Sequence, residues 1–204
     1  MKLAVFSLLL AFLLPAWGGL ILCPAGHCVL TGLDEAGLRL AHGQAQPGLD
    51  LFMQGITWLG SVWLLLPLAG VLALALWRGG RRVEAAFLMA ALLGAIALAH
   101  GIKPWIDRPR PDLFPMLIPL PADASYPSAH TLQVVAMTLA LAILAERRRL
   151  WVWPLLALAA LLVGWSRIHL QVHFPTDVLA GALAATLWVS GLYLLFSKQS
   201  RAEA

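Results

Sequence analysis

Apolar residues run through the chain in long blocks, and most charged residues fall in the short segments between them. A helix crossing hydrocarbon needs about 20 mostly apolar residues. Six stretches approach that length: Leu3 to Leu22, Phe52 to Trp77, Val83 to Ile102, His130 to Ala145, Leu150 to Trp165 and Asp177 to Phe196. The fourth and fifth are short, so they borrow flanking residues or begin at the membrane surface. The pattern predicts an all-α fold, a bundle of six transmembrane helices. Between the first two, GLDEAGLRLAHGQ sets apolar and polar residues at helical spacing between Gly and Pro. It predicts a short interfacial helix that either covers the mouth of a site or merely connects two spans. The first stretch could be a secretory signal, but no small-x-small cleavage pattern follows it, which favours a retained helix.

Composition agrees with that picture. Apolar residues make up 61% of the 204 and charged ones 12%, against about half and a quarter in a soluble domain. No linker, internal repeat or low-complexity tract beyond the apolar runs interrupts residues 1–204, which read as one membrane domain. The net charge of +4 resides largely in basic clusters beside the apolar runs, where topology signals sit, and this argues against nucleic acid. With a cytoplasmic amino terminus, Lys2, Arg78, Arg81, Arg82, Arg147, Arg148, Arg149, Lys198 and Arg201 lie inside. Arg39, Lys103, Arg108, Arg110 and Arg167 lie outside. Nine against five satisfies the positive-inside rule and puts both termini in the cytoplasm. Cys23 and Cys28 then fall outside, where they either form a disulfide or remain two thiols. With His27 between them they make only a weak zinc signature, since no second ligand pair follows.

The polar residues at span ends form three clusters: KPWIDRPRP at 103–111, PSAH at 127–130 and SRIHLQVHFPTD at 166–177. In the six-span topology all three emerge on the outer side. Lys103, Arg110 and Arg167 with two histidines suit a tetrahedral phosphate, which Arg forks and a Lys point charge match well. His173 and Asp177 are four apart, so a helix beginning near Pro175 would return the carboxylate to the imidazole. Such a carboxylate fixes the tautomer and frees the other nitrogen to attack phosphorus. His130, at a helix start, is placed to act as a general acid on the leaving oxygen. Ser128 and the amides around it, Ala129 included, would complete the phosphate cradle at a helix amino terminus.

At these residues the sequence resembles the type 2 phosphatidic acid phosphatase family of integral membrane lipid phosphatases. The family's motifs are Lys, six residues, Arg-Pro; Pro-Ser-Gly-His; and Ser-Arg, five residues, His, three residues, Asp. All three occur here in order and at the same spacing over 103–177, with Ala129 in place of the usual Gly. The extra methyl narrows the pocket or removes a backbone angle, yet Ala keeps its amide, so activity is expected to survive. The resemblance implies that His173 is the nucleophile, Asp177 its partner and His130 the acid and then the base, with no metal or cofactor. It also implies a membrane lipid phosphate as substrate, at the periplasmic face of a bacterial inner membrane.

Among substrates, undecaprenyl pyrophosphate ranks first, because an outward site in a small bacterial member suits carrier-lipid recycling. Phosphatidylglycerophosphate, phosphatidic acid and diacylglycerol pyrophosphate follow, with phosphotransfer to another lipid as a related activity. A noncatalytic lipid-binding or transport protein is the alternative class, but His173, His130 and Asp177 are all present. Other polar residues gain less support: Asp107 and Arg108 pair locally or shape the loop, Asp112 and Asp123 read as loop residues, and His169 lies outside the motif. His42 and His100 read as structural, and Thr57 and Ser61 as packing or hydrogen bonds between helices.

Overall fold

The computed structural model describes residues 1–119, 122–145 and 151–202, with side chains to residue 197. Eight α-helices and no strands occur among them. They are α1 Lys2–Leu22, α2 Gly32–Gly43, α3 Pro47–Thr57, α4 Val62–Arg78, α5 Arg82–Ile106, α6 Ala129–Leu144, α7 Val152–His169 and α8 Pro175–Ala202. The all-α expectation therefore holds. Four helices among the described residues, α1, α5, α7 and α8, are long and apolar enough to cross a membrane, and the pair formed by α3 and α4, bent by 44°, makes a fifth if it counts as one span. The chain is a multi-pass membrane protein. At 16 residues α6 is shorter than α1, α4, α5, α7 and α8. Leu150 and the basic run Arg147 to Arg149 lie outside the described residues, as do the side chains of Lys198 and Arg201.

The core lies where α4, α5, α6 and α8 meet. Ala91, Ala95 and Ala99 of α5, Ala136 and Ala140 of α6, and Ala184 and Ala185 of α8 are buried there. In lipid the apolar solvent offers helices little reason to associate, so close van der Waals packing of small residues does that work. Glycine has the same role at two contacts that shape the site. A Cβ on Gly181 would stand 2.8 Å from the Ser128 carbonyl, so only Gly lets α8 approach the start of α6 so closely. A Cβ on Gly37 would stand 2.4 Å from the Pro175 ring, which seats α2 against the start of α8.

Two expected boundaries shift. The stretch Phe52 to Trp77 is not one helix: α3 ends at Thr57, a 3₁₀ turn covers Trp58–Gly60, and α4 restarts where the Ser61 hydroxyl caps Trp63 N at 3.3 Å. The break leaves Thr57 at a helix end, free to meet α7. The fifth stretch continues to His169, because nothing between Trp165 and His169 breaks a helix. The turn comes only at Gln171, with φ 59°. A helix does form at 32–43, where sequence predicts one. Thr31 caps it, accepting Asp34 N at 3.1 Å, and Leu38 and Ala41 are buried on its inner face against α7 and α8. Cys23 and Cys28 are joined in a disulfide just after α1, which ends the zinc reading.

Candidate active site

Four helix ends meet at one end of the bundle: the last turns of α5 and α7 and the first turns of α6 and α8. They carry Lys103, Arg167, His130 and Asp177. The α5–α6 connection adds Arg108, Arg110, Asp123, Ser125 and Ser128, and the short α7–α8 turn adds His173.

His173 is buried and held on both ring nitrogens. Its Nδ1 lies 3.3 Å from Asp177 Oδ2, and its Nε2 lies 3.2 Å from an N–H of Arg110. Guanidinium can only donate and carboxylate can only accept. Nδ1 therefore carries the proton toward Asp177, and Nε2 presents its lone pair on the side of the cations. Burial first, and then the charges of Arg167, Arg110 and Lys103, push the His173 pKa well below its ordinary value. That shift favours the neutral imidazole.

Asp177 is fully buried and takes three further contacts besides His173: the Phe174 amide at 2.9 Å, the Ser125 hydroxyl, and Arg108 at 2.6 Å from Oδ1. The Phe174 bond is a local turn that follows from the Pro175 helix start. Arg108 continues the chain of contacts. It donates to Thr176 Oγ1 at 2.7 Å and to Asp34 Oδ2 at 2.8 Å, and its guanidinium lies 4.0 Å from the Phe174 ring centroid.

The three expected cations are present at the site, each anchored differently. Arg110 donates to the Val172 carbonyl at 2.7 Å and to Asp123 Oδ1 at 2.7 Å. Lys103 Nζ is 3.0 Å from the other Asp123 oxygen and also donates to the Ala124 carbonyl. Asp123 is thus a partly exposed carboxylate bridging two cations. Burial would raise its pKa, but Lys103 and Arg110 outweigh that and hold it below the ordinary value. Arg167 is buried, donates to Thr57 Oγ1 at 2.7 Å, and has no protein partner for its Nε among the described residues.

His130 is half-buried, and no protein group bonds its ring among the described residues. Arg167, Arg110 and Lys103 bear electrostatically on it as they do on His173, so both imidazoles share one cationic site. Ser128 caps no amide with its side chain; its Oγ accepts from Thr131 at 3.0 Å, and its own N–H donates to the Asp177 carbonyl at 3.1 Å. That amide ties α6 to α8 instead of facing the cations. Ala129 opens α6 beside it, partly buried and with ordinary helical geometry, so no Gly-only angle is needed there. His169 stands apart, bonded to Asp50 at 2.8 Å.

Sequence reasoning missed Asp34 and Ser125 altogether and set Arg108 and Asp123 aside.

A family model described as the PAP2 superfamily matches residues 84–201, more than half of the chain and all of the clustered polar residues. The chain belongs to the PAP2 superfamily. Among its PAP2 relatives, phosphatidylglycerophosphatase B of Bacillus subtilis is 35% identical over 79% of this chain and 83% of its own length. Undecaprenyl-diphosphatase BcrC of Bacillus subtilis is 42% identical over 40% of this chain and 39% of its own. A crystal structure of a transmembrane PAP2 type phosphatidylglycerolphosphate phosphatase from Bacillus subtilis superposes with a TM-score of 0.79. It shares 29% identity and covers 97% of this chain and 98% of that one.

Proposed function

We propose that this PAP2 protein, an enzyme that hydrolyses lipid phosphate esters, works through a phosphohistidine on His173. The observation that carries the reading is the orientation of one ring: Nδ1 held by Asp177 and Nε2 turned toward Arg110. Nε2 attacks phosphorus as the bond to the lipid oxygen breaks, and His130 gives that oxygen its proton. Asp177 stabilises the positive ring formed at His173. Lys103, Arg110 and Arg167 neutralise the nonbridging oxygens as charge builds on them. Water then attacks the phosphohistidine, losing its proton to His130, and inorganic phosphate leaves with His173 restored. Ser128 and Ala129 line the start of α6 beside the phosphate. No metal is required in this scheme.

The fold is read as six spans, α1, α3 with α4, α5, α6, α7 and α8, with α2 at the interface and residues 1–204 as one domain. The sequence's count of nine basic residues inside against five outside favours cytoplasmic termini and a periplasmic site in a bacterial inner membrane. A lipid headgroup could then reach the cations while its tail remains in hydrocarbon.

Undecaprenyl pyrophosphate is the substrate proposed first, and the undecaprenyl-diphosphatase relative supports it. Phosphatidylglycerophosphate is the second reading, favoured by a relative of that activity matching nearly the whole chain. Purified protein in detergent with EDTA, offered both lipids together with phosphatidic acid and diacylglycerol pyrophosphate, should release phosphate fastest from the physiological class. Release that stops on adding EDTA would contradict the metal-free scheme. No release from any of the four would favour a lipid-binding or transport protein.

A further inference from the structure

Behind the His173–Asp177 pair stands a second carboxylate that the mechanism does not use. Asp34, in the first turn of α2, is fully buried and 142 residues from Thr176 in sequence. Its Oδ1 accepts both the Thr176 amide at 3.0 Å and the Thr176 hydroxyl at 2.8 Å, and its Oδ2 accepts Arg108 at 2.8 Å. Arg108 is itself 1% exposed and gives its other arm to Asp177 at 2.6 Å. One guanidinium therefore lies between two carboxylates, and the trio carries a net charge of −1.

That sign matters for the chemistry. Burying ions costs several kcal/mol each unless they are closely paired, so an Arg serving Asp177 alone would suffice for packing. It would also neutralise Asp177 just where a positive ring must form. A second carboxylate on the far arm draws off part of the guanidinium charge and leaves Asp177 an effective anion toward His173. The same carboxylate pins Thr176, the residue before Asp177, and so sets where the α8 helix starts.

We propose that Asp34 is a positioning residue for hydrolysis: through Arg108 and Thr176 it fixes Asp177 against His173 and keeps that carboxylate anionic in effect. The inference rests on the assignment of His173 as nucleophile. It makes α2 part of the active site, although no α2 side chain reaches the phosphate cations. The other charged groups that face His173 are Lys103 of α5, Arg110 of the following loop, His130 of α6 and Arg167 of α7, and none of them is altered below.

The test is the pH dependence of kcat/KM on a lipid phosphate for purified wild type, Asp34→Asn, the double variant Asp34→Asn with Arg108→Gln, and His173→Ala. Asp34→Asn is expected to leave KM nearly unchanged, lower kcat by about 10- to 100-fold, the loss typical when the outer partner of a metal-bound histidine is removed, and move the acid limb to lower pH. The double variant restores the trio's net charge of −1, so its acid limb should return to the wild-type position. If Asp34→Asn does not fold, the double variant carries the test, and a limb displaced from wild type overturns the inference. A limb unmoved in Asp34→Asn, with only kcat or stability reduced, reduces Asp34 to a structural staple. His173→Ala that still hydrolyses removes the nucleophile assignment and this inference with it. His173→Ala inactive with the Asp34→Asn limb unmoved removes the inference alone.

Discussion

His173, the proposed nucleophile, retains little freedom: one nitrogen faces a carboxylate, the other a guanidinium, and burial pushes its pKa well below the ordinary value. Because its pKa is lowered, the neutral form persists as pH falls through the ordinary histidine value of about 6.5. From pH 7.5 down to 6, kcat/KM should hold level; a fall to half near 6.5 would mean that His173 is less perturbed than its surroundings dictate. His130 is tested by leaving group. His130→Ala should lower turnover of a lipid phosphate by about 10²- to 10⁴-fold, and of an activated aryl phosphate far less, since that oxygen leaves without a proton. Equal losses on both would contradict its role as acid. The residues that sequence could name were those whose spacing along one segment encodes contact, as His173 and Asp177 do at i and i+4. Asp34 and Ser125 reach the site from distant segments through contacts that no local spacing records, so they were not legible.

At the level of elements, the site exists because two helices end and two begin at the same place. The apolar pattern located these helices to within a few residues, since a period of hydrocarbon length is hard to mistake. It did not locate the break at Trp58–Gly60, because every residue there is compatible with an apolar span; the break coincides with the Thr57 bond to Arg167 and the close approach of Gly60 to His130 and Val163, contacts between distant segments. Nor did the pattern show that the Ser128 amide serves to join α6 to α8. That junction depends on the missing side chain at Gly181. Gly181→Val should cost about 1–3 kcal/mol, as overpacking does, and should lower kcat as well, since it drives the helix bearing Asp177 away from that bearing His130. Thermal unfolding in detergent alongside turnover checks both; a stable variant of full activity would mean the close approach is incidental.

For the molecule as a whole, the placement of charge is the chief argument for orientation. Arg78, Arg81 and Arg82 lie at the opposite end of the bundle from Lys103, Arg110 and Arg167, separated by the length of α5. In the proposed topology Lys103, Arg110 and Arg167 are cations on the outer side, and the proposed phosphate site gives a reason for their being there. A reporter that works only in the cytoplasm, fused after Ala204, should be active, and one inserted in the 107–119 loop should not. The reverse pattern would turn the site inward and replace a carrier lipid of the outer leaflet with a cytoplasmic substrate. The carboxylate of Asp123 joins two of these cations at the partly exposed edge of the site, so under the proposed mechanism an incoming phosphate would exchange one anion for another.

The most direct measurement is to trap the covalent intermediate. Purified protein carrying His130→Ala, which slows the attack of water, is mixed with an activated aryl phosphate bearing a labelled phosphoryl group, whose oxygen leaves without a proton, then quenched in alkali to preserve phosphohistidine, digested and sequenced by mass spectrometry. One phosphoryl group on His173, absent from His173→Ala protein that also fails to release phosphate, is the predicted result. Label on another residue, or phosphate release undiminished in His173→Ala, would contradict the mechanism.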